Sequence, residues 1–113
     1  MTTEERPWGK YSILHSSSEF QVKIIEVNPG KRLSLQSHQF RAEHWFIVSG
    51  TGIATVGDNV TNVAAGDTID IPVLVKHRIS ADEKAVLTFI EVQTGQSFEE
   101  EDIVRYEDDF GRK

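Results

Sequence analysis

The central stretch of the chain, residues 30–50, reads GKRLSLQSHQFRAEHWFIVSG. Leu33 and Leu35 alternate with polar residues, which is the period of two that a half-buried β-strand shows. A second run, residues 45–48, is apolar and strand-like, and a glycine at position 50 closes it. Two short strands joined by a polar turn indicate a β-rich fold, and the flanking sequence extends this pattern in both directions.

Short strand-like runs separated by turn residues make up most of the chain. The runs occupy residues 20–27, 53–56, 60–63, 68–71, 77–80 and 85–93. The turn signals between them include Asn28-Pro29-Gly30, Gly57-Asp58 and Ala81-Asp82-Glu83-Lys84. We predict an all-β sandwich or barrel, because no helix-period segment of useful length precedes residue 96. The predicted single domain, 1–113, has an N-terminal arm (1–10), a barrel (about 11–95) and a C-terminal tail (96–113).

Composition restricts the function classes. The chain has 113 residues, 12 Lys plus Arg against 18 Asp plus Glu, a net charge of −6 and no cysteine. This length suits one domain, and the negative charge disfavours nucleic acid and anionic membranes as partners. Without cysteine there is no disulfide and no thiolate metal site. No leader-like segment and no run of about 18 apolar residues is visible, so the expected compartment is the cytoplasm.

The tail differs in composition from the rest of the chain. Its acidic start, within residues 99–106, predicts a turn or two of helix, because carboxylates are favourable near a helix N-terminus. The alternative is a solvated acidic tail. A third possibility is docking on the barrel through the tail's apolar side chains, which are Ile103, Val104, Tyr106 and Phe110.

Four polar residues have the chemistry of a metal site. Gln36 and His38 lie two apart in a strand-like run, so their side chains leave the same face. Glu43 follows after a short turn, and His77 comes later, after Pro72 and a loop. Two imidazoles, a carboxylate and an amide oxygen suit Zn²⁺, Fe²⁺, Mn²⁺, Ni²⁺ or Co²⁺. The alternative is that these are ordinary polar residues on a solvent-facing side of the sheet.

The spacing of these residues resembles that of the cupin superfamily. The matching positions of its two motifs are Gly30, Gln36, His38, Glu43 and Gly50, and then Gly66, Pro72 and His77. The resemblance implies a double-stranded β-helix, a jelly-roll-like barrel with a metal site. Gln36 departs from the usual first His but keeps an oxygen donor. Leu74 and Ala81 replace a Gly and an Asn of the second motif. These two replacements affect the shape of the loop more than metal ligation.

A closer resemblance is to the type II phosphomannose isomerase cupin, and it extends over residues 6–112. The blocks that carry it include RPWGKY at 6–11, LSLQSH at 33–38, EHW at 43–45, IEVQ at 90–93 and EDIVR at 101–105. In bifunctional members this domain follows a mannose-1-phosphate guanylyltransferase domain. The present 113 residues contain no glycine-rich nucleotide-binding segment that would represent it.

The resemblance implies metal-dependent interconversion of mannose 6-phosphate and fructose 6-phosphate through a cis-enediolate. Gln36, His38, Glu43 and His77 would hold the metal, most readily Zn²⁺. A base must move a proton between C2 and C1; Glu91 is the first candidate and His44 the second. The phosphate dianion needs cationic partners, for which the candidates are Arg41, Arg78, Arg105, Arg112 and, as a point charge, Lys10. Arg105 and Arg112 could instead pair with the acidic residues of the tail.

Two other functions remain open from the sequence. One is a non-catalytic cupin that binds sugar phosphates, and the other is a small metal cupin that acts as a dioxygenase. The resemblance also implies a small-molecule substrate. A homodimer is expected by analogy, because small cupins often pair through sheet edges and exposed apolar strands.

Overall fold

Two antiparallel sheets form the fold in the computed structural model, which describes residues 2–112. The larger sheet has the strand order β1 (Thr2–Arg6), β2 (Gly9–Ser16), β3 (Phe20–Val27), β10 (Leu87–Gly95), β5 (Arg41–Ser49), β8 (Thr68–Ile71). The smaller sheet has the order β11 (Val104–Glu107), β4 (Leu35–Ser37), β9 (His77–Ala81), β6 (Thr51–Val56), β7 (Asn59–Ala64). No α-helix occurs within residues 2–112, so the all-β prediction is confirmed.

Alternation along the strands builds the core between the two sheets. In β5 the residues at every second position, from Arg41 to Ile47, are buried, and β10 shows the same pattern from Leu87 to Gln93. Trp45 and Phe89 occupy the middle of this interior, with ring centroids 5.2 Å apart. Adjacent residues on the same strands face outwards. A strand with this alternation buries one face and exposes the other.

The turns follow the residues that the sequence analysis singled out. Gly57 and Asp58 form the two-residue connection of the β6–β7 hairpin, in which Val56 pairs with Asn59, and Gly57 has a φ of 59°. Leu74 also has a positive φ, 70°. Leu74 stands at the position where the cupin motif has glycine. The loop keeps the left-handed backbone conformation there, and this conformation is sterically unfavourable for a residue with a side chain.

Two segments differ from the sequence-based expectations. Thr2–Arg6, placed in the predicted N-terminal arm, is a strand that pairs with β2 at the sheet edge. The short helix predicted within residues 99–106 is wrong: the chain turns at Glu99–Asp102, and β11 then pairs with β4. The free edge of β4 accepts the alternating segment Val104-Arg105-Tyr106. The tail therefore docks on the barrel, which was the third possibility considered.

The outer face of the larger sheet is partly apolar. Phe46 and Val48 of β5 are exposed, and Ile90 of β10 lies beside Phe46 in the register. The homodimer expected from the sequence stays a prediction. No helix among the described residues has the length and apolar character to cross a membrane.

Candidate active site

Three elements bring a buried cluster of metal-ligating side chains together. Glu43 is on the inner face of β5, His77 begins β9, and His38 lies in the connection between β4 and β5. The Nε2 atom of His38 is 3.1 Å from one Glu43 carboxylate oxygen, and that of His77 is 3.6 Å from the other. The ligand atoms of the three residues lie within 4.8 Å of one another. The predicted convergence of these three residues is therefore present.

Backbone carbonyls orient both imidazoles. The Nδ1 atom of His38 lies 2.6 Å from the Asp102 carbonyl oxygen, and that of His77 lies 3.0 Å from the Val75 carbonyl oxygen. A carbonyl oxygen can only accept, so Nδ1 carries the proton in each ring and Nε2 of the neutral ring presents a lone pair. This is the arrangement that proteins use to prepare a histidine for metal binding.

The Nε2 atom of His38 gives the test of whether a cation fits. It is buried without a hydrogen-bond partner, because its short contact with Glu43 lacks hydrogen-bond geometry. A buried lone pair facing a carboxylate is unfavourable unless a proton or a cation lies between them. Metal–nitrogen and metal–oxygen bonds of about 2.0–2.2 Å suit donor atoms at these separations. The residues present therefore fit a divalent metal.

Gln36 lies next to this cluster. Its Cα pairs with that of His77 between β4 and β9, and its amide nitrogen donates to the Ser34 hydroxyl oxygen at 3.1 Å. That bond leaves the amide oxygen as the remaining donor atom for a cation. Gln36 also lines the cavity described below. Its role as a fourth ligand stays a prediction.

A second buried carboxyl group, that of Glu91, lies beside Glu43. The indole Nε1 of Trp45 is 3.1 Å from a Glu43 oxygen and 3.2 Å from a Glu91 oxygen, so one N–H is shared between both groups. The other Glu91 oxygen accepts a hydrogen bond from the Gln93 amide at 2.9 Å, and Gln93 in turn accepts from Gln21 at 3.3 Å. Glu91 is therefore fixed in place from two directions.

The two carboxyl groups have pKa values shifted in opposite directions. Burial alone would raise the pKa of Glu43, but the contacts with His38 and His77 outweigh it and hold this pKa below its ordinary value. Burial, and then the neighbouring charge of Glu43, raise the pKa of Glu91 well above its ordinary value. Burial also lowers the pKa of His77. One carboxylate thus stays ionised for a cation while its neighbour retains affinity for a proton.

A cavity of about 110 Å³ opens beside these groups. Glu43, Glu91 and Gln93 line it from the larger sheet, and Gln36 lines it from the smaller one. Five cationic side chains also line it, which are Arg6, Lys23, Arg41, Arg105 and Arg112. One water needs about 10–15 Å³ of such space, so the cavity has room for several waters or part of a small polar ligand.

The predicted phosphate partners differ in their placement. Arg41 lies 3.5 Å from Glu43 and donates to the Glu99 carbonyl oxygen at 3.0 Å. Arg112 lines the cavity, yet it forms a two-pronged pair with Asp108 at 2.8 and 2.9 Å, as the alternative interpretation proposed. Arg105 also lines the cavity and makes no ion pair among residues 2–112.

Among the candidates for the base and the phosphate partners, three residues do not line the cavity. His44 is on the outer face of β5, where its ring contacts Asp70. Its neighbours Glu43 and Trp45 face inwards, so the alternation of the strand turns His44 away. Arg78 donates to the Leu33 carbonyl and to Glu107, both at 3.0 Å. Lys10 lies 3.8 Å from Glu26, its partner in the pairing of β2 with β3, and both side chains are exposed.

Sequence analysis gave no site role to four residues that line the same cavity. Arg6 bonds to Glu100 and to the Tyr11 hydroxyl, both at 3.2 Å, and Tyr11 also bonds to Glu100. These contacts join the β1–β2 hairpin to the tail across the cavity. The fourth residue is Lys23, buried on the inner face of β3. The sequence could have indicated the inward placement of Lys23, because Lys23 and Ile25 are two residues apart in a strand and share a face.

A comparison with models of protein families identifies the family of this chain. A family model described as "Mannose-6-phosphate isomerase C-terminal" matches residues 1–108. The chain belongs to this family. The resemblance stated from the sequence is thereby confirmed at the level of the family.

Relatives in this family are longer proteins. The xanthan biosynthesis protein XanB of Xanthomonas campestris pv. campestris (strain B100) is 49% identical over 107 residues, covering 95% of this chain and 23% of XanB. The mannose-1-phosphate guanylyltransferase ManC of Salmonella typhimurium is 43% identical, covering 95% of this chain and 22% of ManC. The chain thus spans less than a quarter of the length of either relative, in the region that matches the family model.

Solved structures confirm the fold. A cupin-2 domain from Rhodospirillum rubrum superimposes with a TM-score of 0.71 at 29% identity, covering 82% of this chain and 67% of that one. An oxalate decarboxylase from Lactobacillus farciminis gives a TM-score of 0.80 at 23% identity, covering 93% of this chain and 33% of that one. The second likeness concerns the fold alone. The predicted double-stranded β-helix is therefore confirmed.

Proposed function

We propose that this chain is a metal-dependent aldose–ketose isomerase that interconverts mannose 6-phosphate and fructose 6-phosphate. The observation that carries the proposal is the buried His38–Glu43–His77 cluster, whose Glu43 lines the same polar cavity as the carboxyl group of Glu91. The chain's membership of the mannose-6-phosphate isomerase C-terminal family supports the same reaction.

His38, Glu43 and His77 would hold the divalent metal, with Gln36 as the fourth ligand and Zn²⁺ as the proposed ion. A metal in this position would polarise the carbonyl and neighbouring hydroxyl oxygens of the sugar and acidify the proton on C2. The carbonyl bonds to both Nδ1 atoms fix the histidine rings before any ligand arrives. Such fixed donors lower the reorganisation needed during the reaction.

Glu91 would move the proton between the two carbons. In the forward direction its carboxylate would accept the C2 proton, which leaves a cis-enediolate. The O2 hydroxyl proton would then pass to O1, and Glu91 would return its proton to C1 to give the ketose. Its raised pKa makes it a stronger base than an exposed glutamate. The hydrogen bonds from Trp45 and Gln93 hold the carboxyl group in one orientation.

The test is a coupled assay for fructose 6-phosphate formation, on protein reconstituted with Zn²⁺, Co²⁺ or Mn²⁺. We expect turnover that a chelator abolishes and deuterium from solvent at C1 or C2. Glu91→Gln should lose both, because an amide cannot accept the C2 proton. The matched control is Glu26→Gln, since Glu26 pairs with Lys10 on the outer face.

A second candidate function is a sugar-phosphate-binding module without catalysis. It is favoured by one observation, namely the five cationic side chains that line the cavity, which would bind a phosphate group whether or not turnover follows. Wild-type protein that binds both metal and mannose 6-phosphate, with no turnover and no deuterium incorporation, would establish the binding module and contradict the isomerase.

A further inference from the structure

Trp45 lies between the apolar interior of the barrel and the metal-ligating cluster. Its side chain is buried, and its ring packs against that of Phe89 with centroids 5.2 Å apart. On its other side the ring meets that of His77 edge-on, with centroids 5.8 Å apart and an angle of 69° between the planes. Trp45 therefore contacts both the core and a proposed metal ligand.

The register of the strands places the indole N–H of Trp45 between two carboxyl groups. Glu43 precedes Trp45 by two residues on the inner face of β5, and Glu91 is the pairing partner of Trp45 on β10. The Nε1 atom is 3.1 Å from Oε1 of Glu43 and 3.2 Å from Oε1 of Glu91. An indole has one N–H and no acceptor, so a single donor serves both buried groups.

The same contact determines how the Glu43 carboxylate is turned. Its Oε1 atom, which accepts the bond from Trp45, lies 3.6 Å from Nε2 of His77. Its Oε2 atom lies 3.1 Å from Nε2 of His38. Each oxygen therefore faces one imidazole, and an outer hydrogen bond of this kind is what orients a ligand for a metal. Without the N–H, the carboxylate would be free to rotate out of this orientation.

Burial alone does not explain this placement of the donor, because one acceptor would satisfy an indole N–H inside a protein. Burial, and then the charge of Glu43, raise the pKa of Glu91, so the two carboxyl groups oppose each other's ionisation. An N–H between them stabilises negative charge on both. Among residues 2–112, Trp45 is the residue whose hydrogen bonds reach both carboxyl groups.

We infer that Trp45 is a positioning residue, whose indole N–H holds the proposed metal ligand Glu43 and the proposed base Glu91 in one fixed arrangement. The part that concerns Glu91 rests on the proposed function, whereas the part that concerns Glu43 rests only on the metal-ligating cluster. A metal at Glu43 and a base at Glu91 must reach adjacent atoms of one substrate. A shift of about 1 Å between them therefore lowers the rate by up to about a hundredfold.

Removing the N–H while keeping an aromatic ring tests this role. Trp45→Phe keeps a ring against Phe89 and lacks the donor. A second variant carries a benzothiophene analogue of tryptophan at position 45, in which sulfur replaces the N–H and the bicyclic shape is kept. Trp8→Phe is the matched control. Trp8 is also a buried tryptophan, and among the described residues it does not bond to either carboxyl group.

Metal affinity is the first readout, measured by competition with a chelator for Zn²⁺ or Co²⁺. Both variants at position 45 should bind the metal about 10–100-fold more weakly, whereas Trp8→Phe should keep the wild-type affinity. The second readout is turnover at saturating metal. In both position-45 variants kcat should fall about tenfold to a hundredfold while KM for mannose 6-phosphate changes less than about threefold, because the base is misplaced and the substrate contacts remain.

Several outcomes would overturn the inference. Wild-type metal affinity and kcat in both position-45 variants would do so, as would wild-type protein that binds no divalent metal. A defect in Trp45→Phe that the benzothiophene variant lacks would assign the effect to ring volume, and an equal loss of metal affinity in Trp8→Phe would remove its specificity. Wild-type protein that binds metal without turnover would contradict the isomerase. In that protein, weaker metal binding confined to the position-45 variants would still support the hold of Trp45 on Glu43.

Discussion

The two ends of the barrel interior are lined by the same strands but bury opposite chemistry. At one end the inward residues of β3, β5 and β10 are Val27, Ile47, Leu87 and Phe89. At the other end, on the same faces of the same strands, they are Gln21, Lys23, Glu43, Glu91 and Gln93. Both sets are buried: Phe89 is 0% exposed and Gln93 is 1% exposed.

Burial has a different meaning at each end. Removing apolar surface from water contributes roughly 25 cal/mol per Å², so the apolar end stabilises the barrel. Burying amides and carboxyl groups carries a desolvation cost that hydrogen bonds only offset. The polar end should therefore contribute less to stability than the apolar end, and under the proposed function its polar groups serve ligand binding. Substitutions at the two ends should therefore separate stability from activity.

The largest expected effect is at the metal cluster. His77→Ala removes one ligand of the three-residue cluster, so bound metal should fall well below one equivalent. Isomerase turnover should drop by about a thousandfold or more, because metal stabilisation is worth several kcal/mol. Metal analysis and the coupled assay measure this. His44→Ala, a histidine on the outer face, is the matched control; equal losses in both variants would contradict the assignment.

The next largest effect is at the apolar end. Phe89→Ala should lower the free energy of unfolding by about 3–5 kcal/mol, since a fully buried aromatic side chain leaves a cavity. Urea titration measures it. Phe46→Ala, on the exposed face of β5, should cost less than about 1 kcal/mol. A smaller loss for Phe89→Ala than for Phe46→Ala would show that the apolar end does not carry the stability of the barrel.

A third prediction tests whether the tail supports metal binding at the polar end. The Asp102 carboxylate accepts hydrogen bonds from the backbone N–H groups of Gln39 and Phe40, both at 2.9 Å, beside His38, a proposed metal ligand. Asp102→Ala should weaken metal affinity about 10–100-fold, as loss of outer contacts to ligands usually does. Competition with a chromogenic chelator measures it. The control is Asp58→Ala, in the β6–β7 turn, which should keep wild-type metal affinity. Wild-type metal affinity in Asp102→Ala would show that the tail only covers the surface.

The smallest expected effect comes from a loop residue and should leave turnover unchanged. Leu74 is exposed and holds a φ of 70°, which costs an L residue about 1–2 kcal/mol. Leu74→Gly should therefore raise the free energy of unfolding by about 1 kcal/mol without changing turnover, as urea titration and the coupled assay can show. Val73→Gly is the control and should lower stability, because Val73 has no positive φ to relieve.

Local patterns were enough to predict the strands and the core of the site. The alternation around Leu33 and Leu35 and the spacing of His38, Glu43 and His77 are properties of short segments. Their physical basis, the two-residue period and the turn chemistry, does not depend on the rest of the molecule. For this reason the all-β architecture and the buried cluster both agree with the structure.

The misplaced residues depend on contacts between distant segments. The tail is polar and acidic by itself, and it becomes a strand because the edge of β4 is available to it. Lys23 received no role in the sequence analysis. A lysine within an apolar run does not indicate that its partner on the neighbouring strand β10 is Glu91. His44 was considered beside Glu43 in the sequence, whereas the alternation of β5 separates their side chains. Pairing register, not propensity, decided each of these positions.

The contacts made by residues 99–105 also determine when the site can form during synthesis. The carbonyl of Asp102 orients His38, the carbonyl of Glu99 holds Arg41, and Arg105 completes the cavity. A nascent chain can pair β2, β3, β5 and β10 before these residues leave the ribosome. Until they emerge, His38, a proposed metal ligand, lacks the carbonyl that orients its ring. The newly made protein should therefore acquire its folded barrel first and its capacity for metal last.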